Sequence, residues 1–220
     1  MSIKSVLITG TSSGIGKASV SLFTNVGIMV HGFDIKPASV THPLFKHYDI
    51  DVTQPDTFPE LEIDAIVNNA GVVDEETSIA VNQQGYINIV AKYGYSPVIK
   101  SILNVASISG HVGLDTPTYA SSQGGRLAYT KHLAIQLGQE YGTRVNSLSP
   151  GATLTGLEPY DEHKDLVELV AKESLLNKWA TAEDIAQWIY FITCVDKSMT
   201  GQDIIVDNGE VAKRNFIKIG

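Results

Sequence analysis

Short apolar runs alternate with segments of helical periodicity along the chain. A short apolar run bounded by turn residues fits a strand buried on both faces, whereas apolar residues three and four apart fit one side of a helix. The pattern predicts seven strands, at 5–9, 28–34, 45–51, 63–69, 98–107, 143–150 and 203–207. It predicts helices at 14–26, 79–93, 118–141, 161–175 and 181–193.

This alternation of strands and helices points to one fold class. Such strands pair in parallel through right-handed crossovers, which place the helices on both faces of the sheet. We therefore predict an α/β fold with a doubly wound sheet of about seven mostly parallel strands. The sequence shows no internal repeat and no linker, so residues 1–220 are predicted to form a single domain.

Composition and charge narrow the class of partner. Hydrophobic residues make up 43% of the chain and charged residues 18%, which is ordinary for a globular domain. The net charge of −8 argues against nucleic acid and against an anionic membrane, since both favour a basic protein surface. No apolar run approaches the ~20 residues that span a bilayer, so we expect no membrane partner. The sequence begins with a predicted strand rather than with a signal peptide. Cys194 is the single cysteine, which excludes an internal disulfide. Both observations favour a cytoplasmic protein.

The first predicted strand leads into a glycine-rich loop at the start of a helix. Gly10, Gly14 and Gly16 allow a sharp turn and a close approach of the backbone to a ligand. The N-terminus of the helix offers free N–H groups and a positive dipole end to a pyrophosphate. The loop therefore predicts a dinucleotide site, with a plain strand-to-helix turn as the alternative.

An acidic residue at the end of the second predicted strand favours NAD. Asp34 lies 18 residues after Gly16, close to the ~20-residue offset at which a carboxylate binds the adenosine ribose hydroxyls. That carboxylate would repel the 2′-phosphate of NADP, and Ser13 in the loop carries no positive charge. Lys17 and Lys36 keep NADP open as the less favoured alternative.

Short motifs follow most of the predicted strands in a fixed order. They are Thr9-Gly10 with Gly14-Ile15-Gly16, Asp51-Val52, Asn68-Asn69-Ala70-Gly71, Val81-Asn82-Gln83-Gln84-Gly85, Asn104-Val105-Ala106-Ser107-Ile108-Ser109-Gly110, Tyr119, Pro150-Gly151 with Thr153 and Thr155, and Val206-Asp207-Asn208-Gly209. Their order and spacing resemble those of the short-chain dehydrogenase/reductase family from about residue 3 to 212.

The resemblance implies a Rossmann-type fold and an oxidoreductase that moves a hydride between a nicotinamide cofactor and a small alcohol or carbonyl. It implies no metal, a substrate loop at about 151–177, and a homodimer or homotetramer. It implies cofactor contacts from Gly10, Ser12, Ser13, Gly14, Ile15, Gly16, Asp34, Asp51, Val52, Asn69, Ala70, Gly71, Tyr119, Gln123, Pro150, Gly151, Thr153 and Thr155.

The resemblance also implies a catalytic group of Asn82, Ser107, Tyr119 and Gln123. The chemistry of these side chains agrees, since Ser107 would polarise a carbonyl oxygen and Tyr119 would give or take its proton. Three alternatives stay open. Ser107 would only cap a turn, Tyr119 would stack near the cofactor without a proton role, and Asn82 would only bond a backbone kink.

Gln123 departs from the family, which has lysine four residues after the tyrosine. By resemblance, that lysine binds the nicotinamide ribose and lowers the pKa of the tyrosine. The glutamine amide can bond the ribose but carries no charge. A unit charge at ~4 Å is worth roughly 4 kcal/mol at an effective dielectric of ~20. That energy would lower the pKa of a tyrosine, which is ordinarily ~10, by about 3 units. Lys131 is too far along the same helix to replace it, about 18 Å away.

We therefore expect slow hydride transfer with an alkaline optimum. The alternative is an NAD(H)-binding protein with weak or no catalysis, which senses the cofactor or assembles with partners. A nucleotide-sugar epimerase is disfavoured because the C-terminal region leaves little room for a sugar-nucleotide domain.

Overall fold

The computed structural model describes residues 2–155 and 164–214. Its strands are β1 (Ser5–Thr9), β2 (Met29–Asp34), β3 (Phe45–Asp49), β4 (Ala65–Asn68), β5 (Ser101–Val105), β6 (Arg144–Pro150), β7 (Thr153–Leu154), β8 (Ala180–Thr181) and β9 (Asp203–Val206). Seven of them form one sheet in the order β3-β2-β1-β4-β5-β6-β9, and every pairing in it is parallel. This sheet confirms the predicted doubly wound α/β fold.

The helices lie between these strands, except for the last helix, which follows β9. They are α1 (Gly14–Asn25), α2 (Tyr86–Ile89, flanked by π-helical Ala80–Gly85 and Val90–Gly94), α3 (Ser109–Val112), α4 (Pro117–Tyr141), α5 (Lys164–Ala171), α6 (Ala182–Tyr190, continued by π-helical Phe191–Val195) and α7 (Glu210–Arg214). A short 3₁₀ turn covers Pro55–Thr57. In the part of the chain that the structure describes, no helix is both long and apolar enough to cross a bilayer.

Two hydrophobic cores lie on opposite faces of the sheet. Along β1, Val6 and Ile8 point into one core and Leu7 points into the other, as the two-residue period of a strand requires. Helices α1 and α6 pack on the Val6 face, where Phe23 and Ile189 are fully buried. Helices α2 and α4 cover the opposite face. The predicted placement of helices on both faces is thus confirmed.

Most differences from the predicted elements lie at their ends. The fifth strand begins at Ser101 rather than at residue 98, because the main-chain N–H of Ile99 donates to Ser96 O (3.1 Å) and closes a turn there. The sequence pattern missed α3, α7 and the β7–β8 ribbon, since each is too short to show a period.

The strand order places a crevice at one edge of the sheet. From β1 the chain moves outward to β2 and β3 on one side, then returns to build β4, β5, β6 and β9 on the other. At this reversal, the helices that follow neighbouring strands lie on opposite faces of the sheet, so a crevice opens between them. Open parallel sheets bind ligands in such a crevice, beyond the carboxyl ends of the strands.

Candidate active site

A cavity of about 580 Å³ opens at this crevice. Its lining comes from the segments that follow β1, β2, β3, β4, β5 and β6, together with the start of α4. The predicted site residues that line it are Gly10, Ser13, Ile15, Asp34, Asp51, Val52, Asn69, Ala70, Gly71, Ser107, Tyr119, Gln123, Pro150, Gly151, Thr153 and Thr155. The fold therefore gathers most of the predicted site into one cavity, and leaves Ser12, Gly14, Gly16 and Asn82 outside its lining.

The glycine loop is shaped by close backbone packing. Gly10 and Gly14 have φ angles of 74° and 49°, which residues with a side chain rarely adopt. At Gly16, an added Cβ would lie 1.9 Å from the carbonyl oxygen of Gly10. The side chain of Ser13, the residue before α1, makes no capping hydrogen bond. The loop thus folds tightly against the helix and leaves that helix end to a ligand.

Asp34 both lines the cavity and holds the loop. Its Oδ2 accepts the main-chain N–H of Ser12 (2.9 Å), and its Oδ1 accepts that of Lys36 (2.8 Å). The Ser12 hydroxyl then donates to the carbonyl of Lys36 (2.9 Å). A carboxylate has about four acceptor positions, so Asp34 retains capacity for the hydroxyls of a ribose.

Another edge of the cavity is formed by the residues that follow β3. Asp51 accepts hydrogen bonds from the main-chain N–H (2.8 Å) and the hydroxyl (2.7 Å) of Thr53. Val52 is 7% exposed and packs against Gly85, where a Cβ would come within 2.6 Å of its side chain. Together they form a fixed polar and apolar edge beside the Asp34 carboxylate.

Thr9 is a residue that the sequence placed in a motif without giving it a role. Its hydroxyl accepts the main-chain N–H groups of Asn69 (3.0 Å) and Ala70 (2.9 Å). The Asn69 amide donates in turn to the carbonyls of Thr9 (3.0 Å) and Gly10 (3.3 Å). These bonds lock the end of β4 to the end of β1, and so fix the floor of the cavity.

Ser107 follows β5 and is oriented by its neighbours. Its Oγ accepts the main-chain N–H of Ser109 (3.1 Å) and bonds the Ser109 hydroxyl (3.2 Å). Ser109 Oγ donates to Asp115, whose φ of 64° is unusual for a residue with a side chain. Ser109 and Asp115 line the cavity, and sequence reasoning gave neither of them a role. Their proximity depends on a loop that no periodic pattern describes.

Tyr119 and Gln123 lie one turn apart at the start of α4. The helix begins where the Thr116 hydroxyl accepts the main-chain N–H of Tyr119 (3.2 Å) and Pro117 occupies the first turn. Gln123 is 3% exposed, and its Oε1 is buried without a hydrogen-bond partner among the described residues. A buried acceptor that faces the cavity suits a ligand hydroxyl.

Asn82 lies beside the cavity rather than in it. Its side chain is fully buried, and it accepts the main-chain N–H of Val72 and donates to the Val72 carbonyl, both at 2.8 Å. Its amide also donates to Ser122 Oγ (3.3 Å). Asn82 therefore fastens the segment after β4 to α4, which corresponds to the backbone-bonding alternative raised from the sequence.

Arg126 is the main residue that the sequence analysis missed. It lines the cavity next to Gln123, although it is only 2% exposed. Its guanidinium donates to the main-chain carbonyls of Asn82, Val105 and Ala70. Burial lowers the pKa of this guanidinium to about 10. The available signal was a charged residue at helical spacing from Tyr119 and Gln123.

The segment after β6 closes the cavity from the other side. Pro150 accepts the main-chain N–H of Ile108 (3.0 Å), and the Thr153 hydroxyl donates to the Gly151 carbonyl (2.9 Å). Val170, from the far part of the predicted substrate loop, and Trp179, just after that loop, also line the cavity. Residues 156–163 of that loop lie outside the described residues.

The donors and acceptors present fit a nicotinamide dinucleotide. The glycine loop has a helix N-terminus that a pyrophosphate would suit, and Asp34 has a carboxylate that a ribose would suit. Gln123 has a buried amide oxygen with no partner among the described residues, which a second ribose would suit. Across residues 2–155 and 164–214, no three His, Cys, Asp or Glu side chains are grouped so as to hold a metal ion.

Comparison with known proteins finds likeness over nearly the whole chain. A protein-family model described as enoyl-(acyl carrier protein) reductase matches residues 10–210. The 3-oxoacyl-[acyl-carrier-protein] reductase FabG of Thermotoga maritima is 32% identical, over 94% of this chain and 98% of its own length.

Solved structures show the same fold, in two cases with a bound cofactor. A short chain dehydrogenase family protein from Francisella tularensis is 28% identical with a TM-score of 0.84, over 96% of this chain and 99% of its own. A 4-hydroxyisoleucine dehydrogenase complexed with NADH is 27% identical with a TM-score of 0.82, over 95% and 99%. ElxO with NADP bound is 25% identical with a TM-score of 0.83, over 96% and 100%.

Proposed function

This chain belongs to the short-chain dehydrogenase/reductase family, and we propose that it is an NAD-dependent oxidoreductase acting on a small alcohol or carbonyl. The observation that carries the proposal is the single cavity that Ser107, Tyr119 and Gln123 share with the glycine loop. A hydroxyl donor, a phenol and a cofactor-binding loop within one cavity are the parts that hydride transfer to a carbonyl requires.

When bound, the nicotinamide cofactor supplies or takes the hydride. In carbonyl reduction, the Tyr119 phenol gives its proton to the substrate oxygen as the carbon receives the hydride, and in alcohol oxidation the phenolate takes that proton back. Ser107 binds the same oxygen and is held in place by the N–H of Ser109. Asn82 acts indirectly, because it fixes the Val72 main chain at the cavity wall.

NAD rather than NADP is the proposed cofactor. Relatives of known structure carry NADH in one case and NADP in another, so their names leave the choice open. Asp34 supports NAD, since its carboxylate faces the cavity and is positioned by the N–H groups of Ser12 and Lys36. A fixed negative charge there repels a 2′-phosphate and accepts from a 2′-hydroxyl.

Gln123 is proposed to bind the nicotinamide ribose through its amide and to leave Tyr119 without a neighbouring lysine charge. Hydride transfer is then slower than in the same site with lysine, and alcohol oxidation is fastest at alkaline pH, where more phenolate is present. The same substitution favours the second candidate, an NAD(H)-binding protein with little catalysis. For either role we propose a cytoplasmic homodimer or homotetramer.

A combined binding and turnover assay tests the proposal. NADH binding is measured by fluorescence, and NADH oxidation is then followed in the same sample with a panel of small aldehydes and ketones. The enzyme predicts binding together with oxidation by at least one carbonyl. Binding of NADH without oxidation by any member of a broad panel supports the binding-protein candidate, and absence of NADH binding contradicts both.

A further inference from the structure

Arg126 lies on the same side of α4 as the two predicted catalytic positions. It is seven residues after Tyr119 and three after Gln123, so the three side chains form one row along the helix. Helix side chains tilt toward the N-terminus, which directs the long Arg126 side chain back toward Tyr119. All three residues line the cavity.

The environment of Arg126 would destabilise the fold if the side chain served for packing alone. Its guanidinium is buried, and its hydrogen bonds go to neutral carbonyls: Nε and Nη2 to Asn82 O (3.1 and 2.6 Å), Nη2 to Ala70 O (3.3 Å) and Nη1 to Val105 O. Within residues 2–155 and 164–214 it forms no ion pair with a carboxylate. A buried charge without a counter-charge is destabilising relative to an apolar side chain of similar volume.

Among the described residues, the other charged side chains that line the cavity are bonded elsewhere or lie after β2 and β3. Asp115, before α4, is negative and is bonded by Ser109. Glu210 and Arg214 of α7 form an ion pair with each other (3.1 Å). Asp34, Lys36 and Asp51 line the cavity after β2 and β3, on the far side of β1. Tyr86 packs on the guanidinium, 4.9 Å from ring centre to Cζ, and burial raises the pKa of its phenol to about 12, so it stays neutral.

We propose that Arg126 is a positioning residue that acts through Tyr119. Its buried guanidinium, two turns along α4, supplies part of the positive charge that Gln123 lacks. The inference rests on the proposed proton role of Tyr119. Burial lowers the pKa of Arg126, and its electrostatic interactions with Tyr86 and Tyr119 raise it again. That coupling is reciprocal, so the cation favours the Tyr119 phenolate as much as the phenolate favours the cation.

The direct test is the ionisation of Tyr119 in the protein without cofactor. Tyrosine labelled at Cζ is titrated by carbon NMR, and the Tyr119 signal is assigned by its loss in Tyr119→Phe. Removing the charge in Arg126→Gln or Arg126→Met raises the Tyr119 midpoint by about one pH unit, which is less than the ~3 units of a charge at ~4 Å because the interaction weakens with distance. In Arg126→Lys, burial lowers the pKa of the new lysine. The charge of that lysine is therefore read by nitrogen NMR in the same titration, and the Tyr119 midpoint is expected to rise if the amine is neutral and to stay within about half a unit if it is charged.

Controls separate this electrostatic role from a structural one. Arg144→Gln removes another part-buried guanidinium, which is paired with Asp196 (2.9 Å) away from the cavity, and leaves the Tyr119 midpoint unchanged. An unmoved midpoint in the neutral Arg126 variants overturns the inference. If those variants do not fold, Arg126→Lys decides alone. A midpoint that rises with a neutral lysine, or stays within half a unit with a charged one, supports the inference, and either opposite combination overturns it.

A second readout joins Arg126 to the reaction. In the Arg126→Met background, Gln123→Lys raises the neutral-pH rate of alcohol oxidation about tenfold more than it does in the unaltered chain, because the new lysine then stands in for the guanidinium that was removed. Equal gains in the two backgrounds overturn the inference. Absence of oxidation in all variants refutes the proposed function instead, while the NMR midpoints still decide the role of Arg126.

Discussion

Gly16→Ala is predicted to disrupt the cofactor loop and to lower the stability of the fold. In the native backbone the new Cβ would lie 1.9 Å from the carbonyl oxygen of Gly10 and 2.8 Å from Asn69 Nδ2. Real Cβ contacts do not fall below about 3 Å, so either α1 or the Gly10 turn must move by roughly 1 Å or more. Overpacking of this kind costs typically ~1–3 kcal/mol.

A matched variant isolates that overlap from the general effect of glycine in a helix. Gly138 lies inside α4, and a Cβ there meets nothing closer than Thr143 O at 3.7 Å. Gly138→Ala therefore gains roughly 0.5–1 kcal/mol, since alanine loses less conformational entropy in a helix. Glycine-to-alanine substitution is thus predicted to lower the free energy of unfolding at position 16 and to raise it at position 138.

Urea unfolding and NADH fluorescence test both variants. Gly16→Ala is expected to lose ~1–3 kcal/mol and, because the moved loop no longer offers its N–H groups to the pyrophosphate, at least about tenfold in NADH affinity. Gly138→Ala is expected to keep the NADH affinity of the unaltered chain. A Gly16→Ala protein that is as stable and binds NADH as tightly as the Gly138→Ala protein would refute the close packing described for the loop.

Three further substitutions test separate parts of the molecule. Gln123→Lys places a cation one turn from Tyr119 and is expected to raise alcohol oxidation near neutral pH by on the order of 10²-fold, measured as a pH–rate profile whose alkaline limb moves toward neutrality. Asp34→Asn removes the charge that repels a 2′-phosphate, and the preference for NADH over NADPH in parallel binding titrations falls by about tenfold. At Asp64, burial alone would raise the carboxyl pKa, but hydrogen bonds from Lys100 and the N-terminal backbone bring it below its ordinary value. This carboxylate stabilises the fold above its ordinary pKa and loses that contribution as pH falls through the folded value, so Asp64→Asn is destabilising in urea at pH ~7 and the difference narrows toward pH ~3.

Local chemistry made the fold and the cofactor half of the site predictable. The glycines between β1 and α1, the acid that ends β2 and the Asn-Asn-Ala-Gly segment after β4 lie within a few residues of the strands that position them. Since parallel strands bring their carboxyl ends to one edge, the order of elements places Asp34, after β2, and Ser107, after β5, at the same cavity.

Long-range packing decided what the sequence did not reveal. The position of Arg126 is set by hydrogen bonds to the carbonyls of Ala70, Asn82 and Val105, which lie in three separate segments. No spacing in the sequence brings those segments together. Asp115 reaches Ser109 only because the loop between α3 and α4 takes a left-handed turn there. The lysine positions along α4 point to no replacement cation for Gln123, whereas Arg126 lies on the same helix face.

The rate of hydride transfer in a single turnover tests the central claim most directly. NADH-loaded protein is mixed with a carbonyl that the panel identifies, for the unaltered chain, for Tyr119→Phe, and for Tyr129→Phe as a control on the same helix outside the cavity lining. The account predicts that Tyr119→Phe binds NADH normally and transfers hydride at least about 10²-fold more slowly, while Tyr129→Phe is unaffected. Hydride transfer by Tyr119→Phe at the rate of the unaltered chain would contradict the assignment of Tyr119 as the proton donor.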